Sequence, residues 1–152
     1  MEEIFSLDDE IPNAPIQIEL ISKEKKSFLV DREIAVKSSR LIKAVLENDS
    51  TVMVIPLYQI NASIMELIMM FMKYDGPDKD DEIPIPLPNK EMKEIVGEWR
   101  ASFLDIEKTV LFDLILASHY LDMDSLLRLA CSKVALLLRG KTVEEIKDVF
   151  KL

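Results

Sequence analysis

A chain of 152 residues is long enough for one domain with a real hydrophobic core and too short to suggest two independent ones. With 49% hydrophobic and 31% charged residues it can offset its folding entropy by burial, which sets it apart from generic disorder. Its 28 acids against 19 bases give a formal charge of -9, and the basic residues are scattered, so nucleic acid is excluded as a partner class and a basic protein surface is favoured.

The single cysteine, Cys131, can form neither an intramolecular disulfide nor a zinc site. Its neighbours Leu129, Ala130 and Val134 predict a reduced, buried thiol in a reducing compartment. The opening Met1-Glu2-Glu3-Ile4 is acidic where a signal peptide is basic, and the densest apolar stretch, 67–72, is far shorter than a membrane span. Cytoplasm and nucleus are the expected compartments, with no membrane partner.

Residues 1–15, acidic and carrying Pro12 and Pro15, read as a flexible tail. Ile16, Ile18 and Leu20 then alternate with Gln17 and Glu19, the period of a half-buried strand, and a polar turn over 22–26 leads to Phe28-Leu29-Val30. Asp31 is placed to cap a short helix through Lys37, and Ser38 to cap a second, in which Leu41, Ile42, Val45 and Leu46 share a face. The β-branched run 51–55 reads as a third strand stopped by Pro56. Asn61 caps a helix from 62 to about 74, whose Met65, Met69, Met70 and Met72 read as core packing rather than an adaptable binding surface.

Gly76, four prolines, four aspartates and Glu82 over 75–88 predict a solvated, mobile loop. Asp78, Asp80 and Glu82 have a superficial calcium-loop spacing, but a central glycine is missing and Asn89 stands where the closing glutamate belongs. Everything beyond reads as helix. One segment runs from 89 to about 103, carrying Met92, Ile95, Val96 and Trp99, with Gly97 as a weak point. Asp105 caps the next, whose Val110, Leu111, Leu114, Ile115 and Leu116 fall at helical spacing. Asp122 starts another, with Leu126, Leu127, Ala130, Cys131, Val134 and Leu138 along one side, and Arg139-Gly140 stops it. Thr142 and Glu145 have capping-box spacing ahead of Ile146, Val149 and Phe150.

The parts of an enzyme are missing. His119 and Cys131 are the one histidine and the one cysteine, and no glycine-rich turn or oxyanion donor set accompanies them. Paired carboxylates occur in solvated segments where nothing separates their pKa values, and glycines at 76, 97 and 140 build no phosphate loop. No catalytic activity, cofactor or metal is expected. The last helices carry more apolar side chains than two short amphipathic helices can bury against each other, which points to a protein partner.

At Leu111-Phe112-Asp113-Leu114-Ile115-Leu116-Ala117-Ser118-His119-Tyr120-Leu121-Asp122 the sequence resembles the S-phase kinase-associated protein (Skp) family, the adaptor subunit of SCF-type cullin ubiquitin ligases. Glu33-Ile34-Ala35, Ser38-Ser39, Ile55-Pro56-Leu57, Trp99 with Phe103, and Gly140-Lys141-Thr142 followed by Glu144-Glu145-Ile146 agree in order, so the likeness covers nearly the whole chain from Ile16.

The resemblance implies an α+β fold: a BTB/POZ domain with a small three-stranded sheet packed by helices over 16–121, and a C-terminal helical extension over 122–152. It implies a non-catalytic adaptor in which the BTB part binds a cullin N-terminal domain and the C-terminal helices hold the F-box of a substrate receptor. His119 and Tyr120, together with Pro56 and Leu57, match cullin-facing positions; the family has an asparagine where His119 stands. Leu127, Cys131, Val134, Leu138, Ile146, Phe150 and Leu152 match F-box-facing positions, and a weak homodimer is expected when no F-box protein is present.

Three departures stand out. Val143 occupies a site where many members have a proline that some lineages hydroxylate. Residues 86–97 form an insertion. The family usually continues past Leu152, so either the sequence is trimmed there or receptor affinity is reduced. The alternatives are an elongin-C-like cullin adaptor, which typically ends near Leu121-Asp122, and a BTB-type scaffold outside any ligase.

Overall fold

Local chemistry accounts for most of the elements in the computed structural model, which describes residues 15–75 and 91–150. Strand β1 (Gln17–Ile21) buries Ile18 and Leu20, as its alternation predicts. The Ser22 amide donates to the Lys26 carbonyl at 2.9 Å and the Ser22 hydroxyl accepts from the Lys26 amide at 3.1 Å, closing a turn in which Lys25 takes φ 68°. Strand β2 (Ser27–Asp31) therefore returns antiparallel, with Val30 opposite Ile18 and Phe28 opposite Leu20.

Strand β3 (Val54–Pro56) lies parallel to β1 and completes a sheet of order β2-β1-β3. It is shorter than the predicted strand and contains the proline expected to stop it. Asp49 accounts for the late start: its carboxylate accepts from the Thr51 amide at 3.0 Å and hydroxyl at 2.6 Å, holding 49–51 in a turn. Pro56 is tolerated because β3 is an edge strand, and the bond to the Ile21 carbonyl comes from the Leu57 amide at 2.8 Å.

Helices α1 (Arg32–Ser38) and α2 (Arg40–Asn48) follow. Asp31 precedes α1 but its carboxylate makes no cap bond. The cap of α2 is Ser39 rather than Ser38: the Ser39 hydroxyl accepts from the Ile42 amide at 3.2 Å. Asn61 caps α3 (Ala62–Met70) as predicted, accepting from the Ile64 amide at 2.9 Å, and a π-helical turn over Phe71–Asp75 carries the run on. Met65, Met69 and Met72 are core residues, whereas Met70 lies at the surface.

The expected N-terminal tail, the body of the acidic loop with its calcium reading, the start of the insertion and Leu152 fall outside the described residues. The helix predicted across Gly97 is two, α4 (Met92–Val96) and α5 (Glu98–Phe103), because Gly97 takes φ +95°, which no helix continues through. Trp99 stacks on Phe103 at 5.2 Å between centroids, and Phe103 reaches Phe71 at 6.0 Å.

Helix α6 (Lys108–Tyr120) begins after Glu107; Asp105 instead closes α5, its amide donating to the Ser102 carbonyl at 3.1 Å. Helix α7 (Asp124–Leu138) begins after Met123, because Asp122 takes φ 54° and forms the corner rather than a cap. Gly140, at φ 74°, ends it, and α8 (Val143–Phe150) follows. One core unites the sheet and helices through Ile18, Leu20, Ile42, Met65, Ile68, Leu114, Leu121 and Leu126, all buried.

Candidate partner-binding faces

Helix α6 has two apolar sides. Leu111, Leu114, Ala117, Ser118 and Leu121 turn inward and are buried. Phe112, Leu116 and Tyr120, spaced four apart and so on one stripe, are 38%, 66% and 38% exposed, with His119 exposed beside them. Leu116, one of the five apolar residues noted at helical spacing, is a surface residue. A helix apolar on opposite sides carries no periodicity that says which side faces the core.

The end of this stripe is anchored by the N-terminus of α2. The Ser39 hydroxyl donates to the Leu121 carbonyl at 2.5 Å, the Leu41 amide reaches the same oxygen at 3.3 Å, and the Arg40 amide donates to the Asp122 carbonyl at 3.2 Å. Carbonyls left over at one helix end thus meet amides left over at another, so the negative end of one helix dipole meets the positive end of the other. The Arg40 guanidinium adds ion pairs to Asp122 at 3.5 Å and Asp124 at 2.6 Å. Tyr120 is fixed through its neighbour Leu121. Of Pro56 and Leu57, Pro56 is exposed, while Leu57 is 1% exposed. The Leu57 side chain is a core group, which corrects its assignment to a contact surface.

Helix α7 is likewise two-sided. Leu126, Leu129 and Ala130 are buried, and Ser132 is buried with its hydroxyl donating to the Leu129 carbonyl at 2.6 Å. Leu127, Cys131, Val134 and Leu138 lie at steps of four, three and four along another stripe; Cys131 is exposed and the other three are half-buried. The buried thiol expected from the neighbours of Cys131 is therefore corrected: one residue past buried Ala130 is about 100° round the helix, enough to leave the core. Partial desolvation still pushes the Cys131 thiol above its ordinary pKa.

On α8 the capping box forms as predicted, the Thr142 amide donating to the Glu145 carboxylate at 3.1 Å and the Glu145 amide to the Thr142 hydroxyl at 3.2 Å. These bonds hold the Glu145 carboxyl below its usual pKa. Ile146 is half-buried and Val143 is 69% exposed. The side chain of Phe150 lies outside the described residues. No helix among the described residues is long and apolar enough to cross a membrane.

A small three-stranded sheet packed by helices, followed by a helical extension with an outward apolar stripe, defines a BTB/POZ-type α+β protein. The comparisons narrow that class. Residues 16–77 match the Skp1 family tetramerisation domain and residues 124–152 the Skp1 family dimerisation domain. A similar protein is the S-phase kinase-associated protein 1 homolog of Tetrahymena thermophila, 39% identical over 90% of this chain and 82% of that one. SKP1-like protein 11 of Arabidopsis thaliana is 33% identical over 89% and 83%, and the SCF ubiquitin ligase complex protein SKP1a of Dictyostelium discoideum 32% over 89% and 83%. The chain belongs to the Skp1 family.

Proposed function

We propose that this protein is a non-catalytic adaptor that joins a cullin to F-box receptors in an SCF-type ubiquitin ligase, acting in cytoplasm and nucleus. The observation that carries the reading is the two-sided α7: its inner line completes the core while Leu127, Cys131, Val134 and Leu138 keep an apolar stripe toward the surface, within the segment that matches the Skp1 dimerisation domain. That stripe, continued by Ile146, is the F-box face, to which the family resemblance also assigns Phe150 and Leu152. The cullin face is the outer side of α6, with Tyr120 and His119 at its end and Pro56 contributing from β3.

The domain division follows: 16–121 for the cullin and 122–152 for the receptor. Chain beyond Asp122, matched to a Skp1 model, favours this reading over an elongin-C-like adaptor.

Affinity purification of the tagged protein from its own cells, with mass spectrometry of co-eluting proteins, tests the proposal. A cullin together with several F-box proteins is the expected result. Recovery of neither, where a known adaptor recovers both, would mean that the fold is kept and the ligase role is lost.

A further inference from the structure

The outer edge of β2 lies on the opposite side of the sheet from β3. Its hydrogen-bonding phase follows from the pairs that flank the ladder: the Ser22 amide bonds the Lys26 carbonyl, and the Arg32 amide bonds the Ile16 carbonyl. In an antiparallel pair such bonding recurs at every second residue, so Val30 and Phe28 bond Ile18 and Leu20. The other set on β1 serves β3, since the Glu19 amide donates to the Met53 carbonyl and the Ile21 carbonyl accepts from the Leu57 amide. The amides and carbonyls of Ser27 and Leu29 therefore point outward, and among the described residues no strand lies beyond β2.

Beneath this edge, between β2 and α3, runs a groove of about 580 Å³ lined by Phe28, Leu29, Met69, Met70, Glu66 and Lys73. Leu29 is 55% and Met70 42% exposed. Lysines guard sheet edges against unwanted pairing, and Lys23, Lys25 and Lys26 stand at the adjoining turn. Guarding does not account for an apolar groove under the edge. In a chain of charge -9, Lys23, Lys25, Lys26 and Lys73 stand against Glu24 and Glu66, the latter paired to Lys26 at 3.0 Å, so the turn and groove together still reverse the sign locally.

We infer that the β2 edge and its groove accept an extended segment of a partner protein, added antiparallel to β2, apolar at alternate positions and acidic at the end beside the Lys23–Lys26 turn. Backbone bonds to Ser27 and Leu29 supply the affinity, and side chains on the Phe28 side of the sheet enter the groove between Phe28 and Met70. A second copy lacks the acidic end, because symmetric antiparallel pairing sets each lysine turn against Asp31 and Arg32 at the far end of the other β2, which carry no net charge. The site does not depend on the cullin and F-box assignments.

The test is titration of the isotope-labelled full chain with the synthetic peptide Val-Thr-Val-Thr-Val-Asp-Asp, followed by amide resonances and hydrogen exchange. Shifts and slowed exchange centred on Ser27 and Leu29 are expected, with at least tenfold weaker binding when the two acids are replaced by lysines, and loss in both Leu29→Pro and Met70→Asp. Met70→Asp changes a surface residue and leaves the fold intact.

Unchanged Ser27 and Leu29 signals, or binding that persists in both variants, overturn the inference. So does protection already present without peptide: if deletion of residues 2–10 abolishes it, the edge belongs to the chain's own N-terminal segment, and if it grows with protein concentration, to a second copy.

Discussion

The Ser39 hydroxyl and the Leu121 carbonyl, 82 residues apart in sequence, meet in a buried hydrogen bond of 2.5 Å, and the same hydroxyl accepts from the Ile42 amide. One oxygen thus caps α2 and ties the corner between α6 and α7 to it. Ser39→Ala removes both bonds, leaving the Ile42 amide uncapped and the Leu121 carbonyl with only the longer bond from the Leu41 amide, at a cost of about 1–3 kcal/mol from the cap and the lost donor together. Urea unfolding should show a fall of that size with little change in slope. Arg40→Ala, whose ion pairs are solvent-exposed, should cost under about 1 kcal/mol.

The outer stripe of α6 predicts a separation of binding from folding. Leu116→Asp and Tyr120→Ala should each weaken cullin binding by tenfold or more in a pull-down or calorimetric titration and leave the thermal midpoint within about 2 °C. Leu114→Ala, two residues from Leu116 but on the opposite, fully buried side of the helix, should do the reverse, costing about 2–5 kcal/mol of stability. A matched loss of stability in Leu116→Asp would place that residue in the core and remove it from the cullin face.

Cys131 offers a probe of the receptor face. Because burial raises its pKa, alkylation in the free protein should be slower than for an unperturbed thiol and should accelerate as pH rises through and beyond the ordinary thiol range. Binding of an F-box protein should then suppress the reaction further. Labelling at the same rate with and without the receptor would put Cys131 outside the interface.

The α8 capping box gives a pH dependence of fixed sign. Glu145 is held below its usual pKa by Thr142, so its contribution is present above the unfolded carboxylate value, about 4.3, and is lost as pH falls through the lower folded value. Protection factors at the start of α8, taken against the intrinsic exchange rate at each pH, should therefore fall on acidification. Glu145→Gln should flatten that response, and Thr142→Ala should keep protection low at every pH.

The hairpin, the Asn61 cap, the Gly140 stop and the Thr142–Glu145 box were legible because each is decided within a few residues by alternation, by a side-chain oxygen near a vacant amide, or by glycine's tolerance of positive φ. The cap of α2 was misplaced by one residue because Ser38 and Ser39 are both competent locally, and the deciding bond comes from Leu121, far along the chain. Asp122 illustrates the same limit, a residue able to open a helix forming a corner once its carbonyl accepts from the distant Arg40 amide, whereas Asp105 closes α5 through a local bond to Ser102. Leu116 and Cys131 escaped because helices that are apolar on opposing sides need their neighbours' positions before inside and outside can be told apart.

On the proposed assignment of the receptor face, helix α7 also sets how receptor choice could change over time. Leu126, Leu129 and Ala130 hold the domain together, so loss of this helix would unfold the chain as well as silence it, and deletion is a closed route. Substitution along Leu127, Cys131, Val134 and Leu138 alters what the surface presents while the inward line keeps the fold. Duplicate copies of such a gene could therefore drift toward different receptor sets by changing a handful of codons, each intermediate remaining a folded protein.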